Sequence, residues 1–180
     1  MLGAKDSKTV ADSRVLAIDV ELRREFTHVV IVIDPPEYND RYEKIKNLNK
    51  FLAMGHAEAI TTLLAKSPAD LAISDKFGKT ELIEGELARR GVDIRLDQFT
   101  GGESIVQVAA ASILARAEFI RSMARLSEKF GLVLPKGAAT QVDSAGRKFV
   151  AQHGVDNLRQ VAKLHFKNYG RVIAPRLAGC

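Results

Sequence analysis

The chain has 180 residues, a length that suits one domain, and 46% of them are hydrophobic, which is enough to build a core. No apolar run is long enough to span a membrane, no signal peptide is visible, and a single cysteine rules out a disulfide framework. We therefore expect one domain over residues 1–180, in the cytoplasm and without a membrane partner. The net charge of +5 favours association with a polyanion but identifies none.

Hydrophobic periodicity predicts most of the secondary structure. Helical spacing covers residues 10–24, 39–47, 50–66, 79–90, 105–130, 143–153 and 156–165. Strands are predicted over 28–34, 70–74 and 92–97, and the first of them is expected to be buried on both faces because its centre is continuously β-branched. We expect Ser104 to cap the long helix, a break in that helix near Arg116, and a loose tail from Tyr169.

Two acidic residues stand just beyond predicted strand ends. Strands that alternate with helices indicate an α/β fold with a central sheet flanked by helices, and ligands of such sheets gather beyond the carboxyl ends of the strands. Asp75 and Glu103 both lie at such positions, and two converging carboxylates could bind a hard divalent cation. Two exposed acids beside helix starts are the commoner arrangement, so the residues alone leave both interpretations open.

Six segments carry a family resemblance when they are taken in order along the chain. They are Lys5-Asp6-Ser7-Lys8; Asn47-Leu48-Asn49-Lys50 with Gly55-His56-Ala57; Ile73-Ser74-Asp75-Lys76-Phe77-Gly78; Glu103 with Val108-Ala109-Ala110-Ala111-Ser112-Ile113-Leu114-Ala115-Arg116; Leu134-Pro135-Lys136-Gly137-Ala138; and Val161-Ala162-Lys163-Leu164-His165-Phe166. Together they resemble ribonuclease HIII, a branch of the type 2 ribonucleases H, and they cover nearly the whole chain.

The resemblance implies a ribonuclease H-like fold and hydrolysis of the RNA strand of RNA–DNA hybrids by four carboxylates with Mg²⁺ or Mn²⁺. Asp75 matches the third carboxylate of the family and Glu103 the fourth, and a glutamate at the fourth position favours the HIII branch. In two-metal hydrolysis one ion generates the attacking hydroxide and the other stabilises the leaving oxygen.

The sequence departs from the family at the first two carboxylates. They form an adjacent Asp-Glu pair on the first strand of the family, and no such dipeptide occurs in these 180 residues. The chain therefore resembles the carboxyl-terminal part of the catalytic domain, with the first strands missing. We expect little or no nuclease activity from it alone, and a monomer that can associate through an exposed sheet edge. The alternative is a non-catalytic remnant that still binds nucleic acid.

Several polar residues are candidates for contact with the phosphates of a hybrid. The resemblance suggests Asn47, Asn49 and Lys50, and it adds Lys5, Lys8 and Lys136 from two loops. The alternatives are a polar helix start for the first group and solvated lysines for the second. For His56 a packed histidine is the commoner case.

Overall fold

The computed structural model describes residues 11–174 and is rich in helix, with a small parallel sheet. The helices are α1 (Asp12–Glu25), α2 (Pro35–Ile45), α3 (Leu48–Leu64), α4 (Glu81–Arg89), α5 (Val106–Phe130), α6 (Thr140–His153) and α7 (Lys167–Ile173). The strands are β1 (Leu71–Asp75) and β2 (Arg95–Phe99). The described residues form two compact units, one with the residues up to Val32 and Ile45–Ile120, the other with Ile33–Lys44 and the residues from Arg121 onward.

The sheet belongs to the first unit and consists of β1 and β2 in parallel, connected through α4. The register pairs Leu71 with Arg95 at one end and Asp75 with Phe99 at the other. The N–H of Lys76 donates to the carbonyl of Phe99 at 3.0 Å, which continues the pairing one residue beyond β1. Both strands therefore end at the same edge of the sheet.

The core of the first unit lies between α3, α4 and the residues around β2. Ala53 and Ala57 of α3 pack against Ile83 and Leu87 of α4, and all four side chains are buried. The two alanines let the helix backbones approach closely, while the larger residues of α4 fill the space between them. The partly buried residues around this cluster are Ile60, Phe77, Leu82, Val92, Ile94 and Leu96.

Ion pairs connect α1 to the first part of α5. Arg116 donates to Asp12 at 3.1 Å, and a nitrogen of Arg23 lies 3.5 Å from Glu118. Arg23 also donates to Asp19, whose side chain is fully buried, so this carboxylate has a charged partner in its own helix. A buried acid requires such a partner because the loss of hydration is otherwise uncompensated.

In the second unit, close packing and ionic bonds hold α7 against α6. A Cβ atom on Gly146 would lie 2.7 Å from a methyl carbon of Val172, so only glycine fits this position without a shift of the helices. Arg171 donates to the carboxylate of Asp143 at 2.6 Å, and Asn168 donates to the same carboxylate. These bonds lower the pKa of Asp143 and keep this buried group ionised.

The α/β fold class is confirmed, and a helix is found in each segment for which one was predicted, except 156–165. That segment contains only a 3₁₀ helix (Asp156–Gln160). The tail from Tyr169 was predicted to be loose, but residues 169–173 belong to α7, and residues 175–180 lie outside the described part of the chain. The helix α5 is continuous through Arg116, so the predicted break is wrong. The single-domain organisation stays a prediction.

The predicted strand over 28–34 is also wrong. Its residues are without regular secondary structure up to Ile33, and Asp34 accepts the N–H of Tyr38 at the start of α2. No strand within residues 11–174 pairs with this segment, and β-branched residues cannot form a strand without a hydrogen-bonding neighbour. Pro35 and Pro36, which directly follow this segment, begin α2, where their missing N–H groups cost nothing.

No helix in the described part of the chain is both long enough and apolar enough to cross a membrane.

The small sheet generates a prediction about association. Within residues 11–174 each strand has one partner, so β1 presents a second edge with Leu71 40% exposed at its start. We expect concentration-dependent self-association in sedimentation velocity, because an exposed strand edge offers unused backbone donors and acceptors. Leu71→Lys should reduce it, since a lysine on an edge strand opposes pairing. Val133→Lys, at a loop residue 81% exposed, is the matched control. A monodisperse monomer at high concentration would contradict the prediction.

Candidate metal and nucleic-acid site

Asp75 is the last residue of β1, and its side chain is held by the turn that follows β2. The residue is exposed, and its Oδ1 atom accepts the backbone N–H of Gly102 at 3.0 Å. A Cβ atom on Gly102 would lie 3.0 Å from the Cα of Asp75, so the two backbones are in close approach. The end of β1 and the turn after β2 therefore meet at the carboxyl edge of the sheet.

Glu103 lies in this turn, directly after the residue that binds Asp75. The turn begins at Gly101, whose positive φ of 71° suits glycine, and continues as a short 3₁₀ helix over Gly102–Ser104. Ser104 was predicted to cap α5, but this is wrong, because its hydroxyl donates to the carbonyl of Gly101 and α5 begins only at Val106. Glu103 is exposed, so its carboxylate remains open to solvent.

His56 of α3 is packed beside this edge. Its ring lies 4.9 Å from the ring of Phe77, which is two residues beyond Asp75. Burial lowers the pKa of His56, and the negative charge of Asp75 partly opposes this effect. The expectation of a packed histidine agrees with this contact, but the electrostatic coupling to Asp75 could not be read from the sequence.

The start of α3 brings polar residues to the loop after β1. Asn47 is the N-cap, and its side-chain oxygen accepts the N–H of Lys50 at 3.0 Å. The side chain of Asn49 lies against Gly78, where a Cβ atom would be 3.3 Å from its amide nitrogen. Asn49 and Lys50 are both exposed, and Asn49 lies beside the loop that Asp75 begins.

The remaining lysine candidates are Lys136, Lys5 and Lys8. Lys136 belongs to the second unit and is exposed in the loop between α5 and α6. This loop is tied to α7, because the carbonyl of Ala138 accepts hydrogen bonds from Asn168 and Arg171. Lys5 and Lys8 lie outside the described residues.

Asp75 and Glu103 can offer carboxylate oxygens to a hard cation. Within the described chain neither residue forms an ion pair with a basic side chain, and no cluster of three or more acidic, histidine or cysteine residues is suited to a metal ion. Mg²⁺ keeps several waters and is commonly bound by only one or two carboxylates, so two such ligands suit this ion. Both acids can be recognised in the sequence as candidate ligands, whereas the contact between Gly102 and Asp75 becomes visible only in the fold.

The fold is that of a ribonuclease H-like protein. The chain matches the structure of Bst-RNase HIII in complex with Mn²⁺ with a TM-score of 0.87 and 35% sequence identity, over 95% of this chain and 57% of that one.

The chain belongs to the ribonuclease HII family, whose model matches residues 1–169. Relatives named ribonuclease HIII include one from Protochlamydia amoebophila, 35% identical over 96% of this chain, and one from Chlamydia felis, 38% identical over 93%. The chain spans 57% of the length of each of these two relatives.

The burial of His56 predicts a pH dependence of stability. Because its pKa is lower in the folded state than the ordinary value near 6.5, protonation favours unfolding, and stability falls as the pH drops below about 6.5. Denaturant unfolding without metal measures how much the free energy of unfolding falls between pH 7.5 and pH 5.5. This decrease should be smaller for His56→Gln than for the natural chain. Asp75→Asn should show a larger loss, because it removes the charge that favours the protonated ring. An equal decrease in unfolding free energy in all three proteins would contradict the assignment of this pH dependence to His56.

Proposed function

We propose that the chain functions as a ribonuclease H-type endonuclease that hydrolyses the RNA strand of RNA–DNA hybrids. The observation that carries the proposal is the bond from the Gly102 N–H to Asp75, which brings the turn of Glu103 to the end of β1. Membership of the ribonuclease HII family and the likeness to ribonucleases HIII support this substrate class. A cytoplasmic location is part of the proposal.

Asp75 and Glu103 would hold the catalytic cation, Mg²⁺ or Mn²⁺. The bound ions would supply an activated water and stabilise the leaving oxygen in a two-metal hydrolysis. The protein's own contribution is to hold two carboxylates at one edge of a parallel sheet, with one of them fixed by a backbone N–H. The Mn²⁺ complex of Bst-RNase HIII supports the choice of metal.

The charge balance argues for weak activity of this chain alone. Two divalent cations carry four positive charges, while Asp75 and Glu103 together supply two negative ones. The Asp-Glu pair of the family is absent from the 180 residues, so the repulsion between two ions would be poorly compensated. Near a protein surface, one uncompensated charge interaction at about 4 Å is worth about 4 kcal/mol, which is enough to weaken binding of the second ion.

Lys50 supports the nucleic-acid part of the proposal. It lies in the first turn of α3, which contains no acidic residue, and a positive charge at this end of a helix is unfavourable in isolation. A phosphate group placed there would satisfy both the helix end and the lysine. Asn49, beside the loop after β1, and Lys136 are the further candidates for backbone contacts.

The alternative function is non-catalytic binding of nucleic acid through the same candidate residues. The missing Asp-Glu pair favours it, because a chain without half of the family's carboxylates could retain the phosphate contacts and lose hydrolysis. The two functions differ in whether activity appears when the missing carboxylates are supplied.

We predict that activity depends on Asp75 and on supplied carboxylates. The full chain should leave a labelled RNA–DNA hybrid almost uncut in Mg²⁺. A mixture with a separate amino-terminal segment of a ribonuclease HIII that carries the Asp-Glu pair should cleave the RNA strand. Asp75→Asn should lower the rate of the mixture by about 100-fold or more, because a metal ligand contributes several kcal/mol to the transition state.

Asp93→Asn is the matched control for that assay, since Asp93 is an exposed acid before β2 and outside the site. It should leave the rate of the mixture unchanged. Ordinary turnover by the chain alone would contradict the prediction that its own activity is low. Full activity of the mixture with Asp75→Asn would exclude Asp75 from the proposed site. A mixture that binds the hybrid without cleaving it supports the non-catalytic alternative.

We further predict that Lys50 contributes to hybrid binding. Lys50→Gln should weaken binding of the hybrid and lower the slope of log affinity against log salt concentration by about 1, since one phosphate contact is lost. Lys66→Gln is the control, because Lys66 is exposed just beyond the other end of α3. Fluorescence anisotropy over a series of salt concentrations measures both effects. Identical slopes for the two variants would exclude Lys50 from the interface.

A further inference from the structure

The carboxylate of Asp75 is held through one oxygen only. Oδ1 accepts the N–H of Gly102 at 3.0 Å, and among the described residues no other hydrogen bond or ion pair reaches this carboxylate. The bond fixes the side chain relative to the sheet, and Oδ2 remains the oxygen without a protein donor. A neutral backbone donor can orient a metal ligand without competing for it as a cation would.

Space, and not backbone conformation, makes glycine necessary at position 102. Gly102 is buried, and its φ is not in the left-handed region, whereas the φ of neighbouring Gly101 is. A Cβ atom at position 102 would lie 3.0 Å from the Cα of Asp75 and 3.2 Å from both its Cβ and its Oδ1. The atoms that it would meet belong to a strand, which cannot move aside as a flexible side chain can.

We propose that Gly102 is a positioning residue that sets the orientation of Asp75 and the placement of Glu103 together. This inference rests on the proposed function, in which both acids hold the cation. Because Glu103 follows Gly102 directly, the contact that orients one carboxylate also fixes the backbone that carries the other. An alanine would push the turn away from β1, lengthen the bond to Oδ1 and separate the two ligands.

The test compares Mn²⁺ binding and metal-free unfolding in four full-length proteins: the natural chain, Gly102→Ala, Asp75→Asn and Gly85→Ala. Gly85 is the control because a Cβ atom there, on an exposed turn of α4, meets no described atom within 4 Å. We expect Gly102→Ala to bind Mn²⁺ about tenfold more weakly, as is typical when an orienting partner is lost. Because its Cβ atom would crowd β1, its unfolding temperature without metal should fall below that of the natural chain, whereas that of Gly85→Ala should not, so Mn²⁺ binding is measured at a temperature where all four proteins are folded. Asp75→Asn should lose the site.

Different failures point to different conclusions. If Gly102→Ala binds Mn²⁺ as the natural chain does while Asp75→Asn does not, the positioning role is overturned and the proposed function stands. If Asp75→Asn binds Mn²⁺ normally, the metal site itself is wrong and the inference falls with it. If Gly102→Ala is destabilised but its folded fraction retains full Mn²⁺ affinity, the glycine is only structural.

A second measurement needs neither a variant nor a metal. In the natural chain, an NMR coupling across the hydrogen bond should connect the amide nitrogen of Gly102 to the side-chain carboxyl carbon of Asp75. Detection of this coupling supports the positioning role even if Gly102→Ala fails to fold. Its absence, under conditions where backbone couplings between β1 and β2 are seen, overturns the inference.

Discussion

The parallel pairing of β1 with β2 is the constraint on which the candidate site depends. Because the register aligns Asp75 with Phe99, the chain leaves both strands at one edge of the sheet. The hydrogen bond from Lys76 to Phe99 extends the pairing, and the left-handed conformation of Gly101 then turns the chain back toward β1. The N–H of Gly102 can reach Asp75 only because these steps occur within three residues of the end of β2.

The features that could be predicted from the sequence are those with a local or a topological cause. Helices α1, α3, α4 and α6 follow the spacing of their apolar residues, and Gly131 has the positive φ expected at the end of α5. The neighbourhood of Asp75 and Glu103 followed from the rule that parallel strands present their carboxyl ends at one edge. Their role as metal ligands remains a prediction.

The features that could not be predicted depend on contacts between distant parts of the chain. The β-branched run at 29–33 has strand propensity, but propensity cannot supply a neighbouring strand. The helix α7 forms where a loose tail was expected, because Asp143 binds Arg171 and Gly146 admits Val172. The separate requirements for the two glycines before Glu103 also depend on the folded chain: Gly101 has a positive φ, and Gly102 has no room for a Cβ atom beside Asp75.

The distribution of ion pairs gives a final argument about the site. On α1 and β2, several charged residues are paired within the chain, as Arg23 is with Asp19 and Arg95 with Asp97. Over the described residues, no such pair involves Asp75, Glu103 or Lys50. Two unpaired acids at a sheet edge and an unpaired lysine at a helix start have complementary external partners, namely a divalent cation and a phosphate. The function that we propose would use both kinds of partner, since a metal-dependent nuclease requires a cation at its carboxylates and phosphate contacts with its nucleic acid.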